Sequence, residues 1–241
     1  LPKTGDGPVE MIRMIHITRE SAVKARTQAI NQIKSLVVTA PSDLAEELRG
    51  LPRRQLITRA SSFDIADDVA TTTDAARLAM RALARRIQTL TTEIGQLETH
   101  RDRLIEQAAP ELLEVVGVGP FVAATLLIAA GDNPDRLHSE AAFAKLCAVA
   151  PKPASSGKTN RHRIDHGGHR QGNRALHTVV IARLRWPDER TRDYVAKHNP
   201  TSGGKADADT IRRLKRYAAR ELFPIVLRAL CTPPEKPLLA A

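Results

Sequence analysis

Residues 74–109 read DAARLAMRALARRIQTLTTEIGQLETHRDRLIEQAA. Ala76, Met80, Leu83, Ile87, Leu90, Ile94, Leu97 and Leu104 follow alternating steps of four and three, with Arg101 interrupting the row. That spacing lays one apolar stripe along one side of a long helix, a heptad seam. Arg77, Arg81, Arg85, Arg86, Glu93, Glu98, Asp102 and Glu106 mark the solvated face around it. Periodicity alone fits two arrangements equally: a coiled coil with a second copy, or a hairpin against another helix of the same chain.

Outward from the seam the chain stays helical. Residues 9–39 hold no Pro or Gly, and Ile12, Ile15, Ala22, Ala29, Ile33 and Leu36 recur at helical spacing. Pro41 breaks that helix, a new start follows at Ser42, and Gly50 and Pro52 punctuate again. Pro110 stops the seam helix. Apolar residues make up 42% of the chain but aromatics only 3%. The core must therefore be built from Leu, Ile, Val and Ala, which favours helices over strands. The expected fold is all-α: long coiled-coil-like helices, then a compact helical domain. The expected divisions are 1–60, a helical joining segment; 71–109, the coiled coil; 110–230, the compact domain; and 231–241, a flexible Pro-rich tail.

The formal charge is +10, which points to a polyanion as partner. Its distribution strengthens the point: residues 152–186 hold eight lysines and arginines against one acid, Asp165. The two cysteines, Cys147 and Cys231, form no CxxC pair, so a reducing cytoplasm is expected and no disulfide framework. No apolar run is long enough to span a bilayer, so no membrane partner is expected. The chain opens on Leu1 rather than Met, as one that begins inside a longer protein would.

Two stretches could carry chemistry. LLEVVGVGPFVAATLL, residues 112–127, fits a helix-hairpin-helix: Gly117 and Gly119 let the backbone turn sharply and bring its N–H groups to a phosphate, and Pro120 suits the first turn of the second helix. A plain helical hairpin would use the same glycines only to turn. The second stretch, PASSGKTNRHRIDHGGHRQGNRALH, residues 153–177, sets two serines among Gly, Arg and His. It is not a nucleotide P-loop, since Lys152 stands where the first glycine is needed and no strand is expected before it. His162, His166, His169 and His177 make a poor zinc site among so many cations, so no metal is expected in this chain. Asn173 precedes a clean helical pattern and reads as a helix N-cap. Ser155 and Ser156 are weak nucleophiles until a base or metal takes the proton, and attack on a phosphodiester needs cations to balance charge. Lys158, Arg161, Arg163, Arg170 and Arg174 could supply them. On composition alone, a Ser-Ser-Gly loop is more often a linker than an active site.

GVGPFVAATLL, FAKLCAVAPKPASSGKTNRHRI and GGHRQGNRALH, in that order, resemble the C-terminal domain of the IS-one-ten family of insertion-sequence transposases. Ala148 to Pro151 stand in for the family's "GLAP" block, with Ala148 in place of Gly. LRWPDERTRDYVAKH and IRRLKRYAARELF are similar to its closing helices, and residues 1–41 to the segment before its coiled coil. The resemblance implies DNA transposition by strand cutting and rejoining, in a bacterial cytoplasm at the nucleoid, guided by an RNA. It implies a serine nucleophile at Ser155 or Ser156, with Ser155 favoured. The residues read above add DNA contacts at Gly117, Gly119, Lys158, Arg161, Arg163, Arg170, Asn173 and Arg174, and the seam adds self-association through 74–109. The resemblance also implies magnesium held by acids of an N-terminal domain. Those acids would precede Leu1, so the sequence as written is expected to bind nucleic acid but to cleave poorly. Two other readings stand beside this one: a non-catalytic nucleic-acid-binding module, and a coiled-coil assembly protein.

Overall fold

The computed structural model describes residues 2–65, 68–155, 162–163, 167–186, 188–199 and 205–231. Among the described residues the protein is all-α, with ten α-helices and one short two-stranded ribbon. By its internal contacts the chain divides into two units, Ile15–His100 and a second made of Leu1–Met14 with Arg101–Ala241. Two long helices, α1 (Pro8–Thr39) and α4 (Thr72–Ala108), contribute to both.

In the Ile15–His100 unit, α1 and α4 are joined by α2 (Ser42–Leu48) and α3 (Arg53–Ser61). Pro41 and Pro52 sit directly before α2 and α3, where a missing N–H costs nothing. Ala29 and Ile33 from α1, Leu44 and Leu48 from α2, Leu56 from α3, and Met80 and Ile87 from α4 form one core. Three seam positions, Met80, Ile87 and Ile94, are buried within the chain, as the intramolecular arrangement of the two that the periodicity allows requires. Arg19 Nη2 donates to Glu98 Oε1 at 2.6 Å and ties α1 to α4 on the solvated side.

The second unit is built around α6 (Pro120–Ala130). Its sequence, PFVAATLLIAA, is apolar on every side, so it belongs in the middle of a helical layer. Val122, Leu126 and Leu127 are fully covered there. Helix α5 (Pro110–Glu114) precedes it, and α7 (Glu140–Leu146), α8 (Arg170–Arg185), α9 (Glu189–His198) and α10 (Ala208–Cys231) follow. Helix α8 packs on α6, and α10 runs across α7 and α8. Phe143, Leu176 and Leu222 bring α7, α8 and α10 into the same core. Between α7 and α8 lies the ribbon, β1 (Lys152–Pro153) paired antiparallel with β2 (His162–Arg163), Lys152 opposite Arg163. The tail from residue 232 lies outside the described residues.

The first residues of the chain are pinned to this unit. The Asp132 carboxylate accepts from Val9 N at 2.8 Å and from Glu10 N at 3.0 Å, capping the first turn of α1. A Cβ on Gly7 would lie 2.2 Å from Asp132 Oδ1, so only glycine allows the approach.

Candidate nucleic-acid interface

Ala148 turns the chain out of α7 with φ +53, the one described non-glycine residue at positive φ. A left-handed alanine costs about 1–2 kcal/mol, so the conformation must be held from outside. Three contacts hold it. Ala148 O accepts from Asn173 Nδ2 at 2.8 Å. Leu146 O accepts from His169 N at 2.6 Å. Gly168, at φ +95, lies so close that a Cβ there would meet Leu146 O at 2.8 Å. The end of α7 and the start of α8 are thereby locked together.

Helix α8 begins four residues earlier than its sequence suggests. Its N-cap is His169, whose Nδ1 accepts from Gly172 N at 3.0 Å. Burial, with Lys3 and Arg136 nearby, holds the His169 imidazole below its usual range, which keeps that ring nitrogen available as an acceptor. Asn173 is therefore not the cap. It sits within the first turn, and its amide is a bridge: Nδ2 donates to Ala148 O, while Oδ1 accepts from Lys215 Nζ at 2.9 Å. Burial, then the neighbouring Arg212, lowers the Lys215 ammonium from its ordinary range.

This bridge forms the floor of a cleft of about 770 Å³. One wall is the loop Ala148, Val149, Ala150 and Pro151, with Arg163 from β2 beside it. The other is α10, which presents Arg212, Arg213, Lys215, Arg216 and Arg220. Tyr194 and Tyr217 close one part of the rim. Two acids balance part of the charge. Glu140 takes both arms of Arg216, with Nη1 to Oε2 at 2.8 Å, and that pairing holds its carboxyl below the usual range. Asp209 pairs with Arg212 one turn away. The remaining lining cations leave the cleft net positive, with Arg163, Arg213 and Arg220 exposed. Such a surface attracts phosphates from a distance and holds them by charge-assisted hydrogen bonds.

The residues singled out in the sequence fall in different places. Arg163 and Asn173 line the cleft. Ser155 is exposed two residues beyond β1, on the segment that leaves the cleft wall. Ser156, Lys158 and Arg161 lie outside the described residues, as does His166. Arg170 and Arg174 are exposed on α8 but do not line the cleft. Gly117 and Gly119 belong to the turn between α5 and α6. Gly117 has φ +87, and a Cβ on it would meet Val179 O at 2.9 Å, so the turn presses onto α8. Arg183, one of the eight cations counted in 152–186, is buried: its Nε donates to Val116 O at 2.9 Å and its two arms reach Glu221 at 2.8 and 3.0 Å.

The cations of α10 were not among the expected site residues. Their signal was present as the run RRLKR with Arg220 one turn on, but nothing local says that this face meets the loop after α7. Among the described residues, no three His, Cys, Asp or Glu side chains converge to hold a metal ion, and no helix is long and apolar enough to cross a membrane. Residues 109–196 match a family described as Transposase IS116/IS110/IS902 family, a span from the end of α4 into α9 that includes Arg163, Asn173 and Tyr194. No curated protein matches the chain.

Proposed function

We infer that this chain has a role in transposition, supported by the match of residues 109–196 to the IS116/IS110/IS902 transposase family, and that its cationic cleft holds the backbone of DNA. The observation that carries this reading is the convergence of Arg163, from the ribbon next to Ser155, with Arg213, Lys215 and Arg220 of α10 on one cavity. Phosphate contacts of this kind position a strand without reading its sequence. Gly119 is the part of the α5–α6 turn suited to a further phosphate contact, since a Cβ on it would meet nothing within 4 Å, whereas Gly117 is engaged with α8.

The chemistry proposed is nucleophilic. The Ser155 hydroxyl, or that of Ser156, attacks a backbone phosphorus; a serine–phosphate bond forms as the P–O bond of the strand breaks, and the departing oxygen takes up a proton. Rejoining is the reverse, with a strand hydroxyl displacing the serine. The surrounding guanidinium groups offset the charge of the transition state. The described residues do not supply the acidic magnesium site that the resemblance implies, and no step here depends on it. A guide RNA is proposed as a second nucleic-acid partner, the bacterial cytoplasm as the place of action, and self-association as a use for the seam residues of 74–109 that stay half-exposed.

Binding of labelled DNA across a salt series tests the cleft. Arg213→Ala should lower affinity and reduce the log–log salt slope by about 0.7–0.9 for the one phosphate contact removed. A slope the same as that of the unaltered protein removes the cleft from the interface. For the chemistry, a covalent protein–DNA adduct on denaturing gels that survives Ser156→Ala but not Ser155→Ala assigns the nucleophile. An adduct that persists in the double variant ends the serine mechanism.

A further inference from the structure

The chain has two tyrosines in 241 residues, and both line the cationic cleft. In a sequence with 3% aromatics that placement calls for a physical account. Tyr217 is 51% exposed, an unusual state for a large ring on a helix otherwise packed into the core. It is braced rather than loose. Tyr194 meets it edge-on, with centroids 5.3 Å apart and planes at 69°. Tyr194 is in turn stacked on His198 at 4.0 Å and 20°. The outer ring thus stands on two fixed rings and offers the cleft a firm aromatic surface.

Its neighbours on α10 complete the pattern. Arg213, Tyr217 and Arg220 stand at i, i+4 and i+7, so they share one face of the helix. A cation, a flat ring and a second cation follow one another over two turns, with a rise of about 6 Å from Arg213 to the ring. Cations that track a backbone, interleaved with a ring on which a base can lie, are what binding of a single strand requires. A cleft of about 770 Å³ falls in the range that takes a drug-sized molecule, so it suits a nucleotide or two of one strand and not the breadth of a duplex.

We propose that this cleft takes an unpaired segment of a DNA strand, with one base stacked on Tyr217 and the flanking phosphates held by Arg213 and Arg220. The proposal rests on the reading of the cleft as a nucleic-acid site and adds the form of the ligand. The strand is DNA because the same cleft is lined by Arg163 of the ribbon beside Ser155, so the strand seated here is the one that serine would attack.

The test is fluorescence anisotropy of the full chain with one labelled sequence presented as single-stranded DNA, as duplex and as single-stranded RNA. Tyr217→Ala should weaken single-stranded DNA about 5- to 150-fold. Tyr217→Phe, which keeps the stacking face, should stay within about twofold, and neither should alter the salt slope, since no charge is removed. Tyr217→Leu, which fills the same place against Tyr194, should lose binding as Ala does and guards against a variant that fails to fold. Equal binding by Tyr217→Ala and the unaltered protein overturns stacking, as does a Phe variant that loses as much as the Ala variant. Tighter binding of the RNA, with the same dependence on Tyr217, overturns the assignment to DNA. If Arg213→Ala flattens the salt slope while Tyr217→Ala is silent, the cleft reading stands and this proposal falls. If both are silent, the two fall together.

Discussion

The turn at residues 115–119 and the loop at residues 148–151 share a description. Each is a short connection leaving a helix, α5 in one case and α7 in the other, each bends through a positive φ, and each lies beside arginines. In the first, the bend is at Gly117 and the groups around it face inward: Val116 O receives Arg183, and Gly117 presses on Val179. In the second, the bend is at Ala148 and its carbonyl is tied to Asn173, which in turn holds Lys215 at the floor of an open cleft. The same irregularity of backbone therefore closes a core in one place and shapes a binding surface in the other. What separates them is where the neighbouring cation ends. Arg183 is buried and engaged with Glu221, while Arg163, Arg213 and Arg220 reach solvent across the cleft.

The strongest way to break this comparison is Arg183→Ala. The change leaves Val116 O without its donor and Glu221 without its partner in a part-buried setting. A loss of about 2–4 kcal/mol is expected, read as a shift in the denaturant midpoint. Affinity for DNA per folded molecule should hold, because this cation does not face the cleft. A stable variant that binds DNA poorly would move Arg183 from the core to the interface.

Next in size is Gly117→Ala, set against Gly119→Ala. At Gly117 both φ +87 and the 2.9 Å approach to Val179 O oppose a side chain, so about 2 kcal/mol of stability should be lost. At Gly119 φ is −97 and the space is open, so the change should stay within about 0.5 kcal/mol. Equal effects at the two positions would mean that the turn does not press on α8 as described.

The boundaries of the fold were legible because they depend on local rules. Pro110 ends α4 at Ala108, and the seam residues Met80, Ile87 and Ile94 are buried as their spacing requires. The Gly117 turn was legible for the same reason. The cleft was only half legible. Arg163 and Asn173 belong to one stretch of sequence, but the cations of α10 lie some forty residues beyond Asn173 and arrive only because α10 packs across α7 and α8. No periodicity encodes that crossing. A charge count also cannot tell Arg183 from its neighbours, since burial and pairing are properties of the packed structure. The role of Asn173 was displaced for a simpler reason: His169, a less common capping residue, starts α8 one turn earlier and leaves the amide free to bridge two other elements.

The smallest expected effect is the most specific to the loop. Ala148, at φ +53, bears a penalty that glycine would not. Ala148→Gly should relieve that strain, offset in part by the greater freedom of glycine in the unfolded chain, for a net gain of about 0.5–1 kcal/mol. The melting temperature should rise by about 1–4 °C. Binding should be retained, because the Ala148 carbonyl, not its methyl group, holds Asn173. A fall in stability would show that the methyl group packs against Gly168 more favourably than the backbone is strained, and the loop would then resemble the α5–α6 turn in serving the core first.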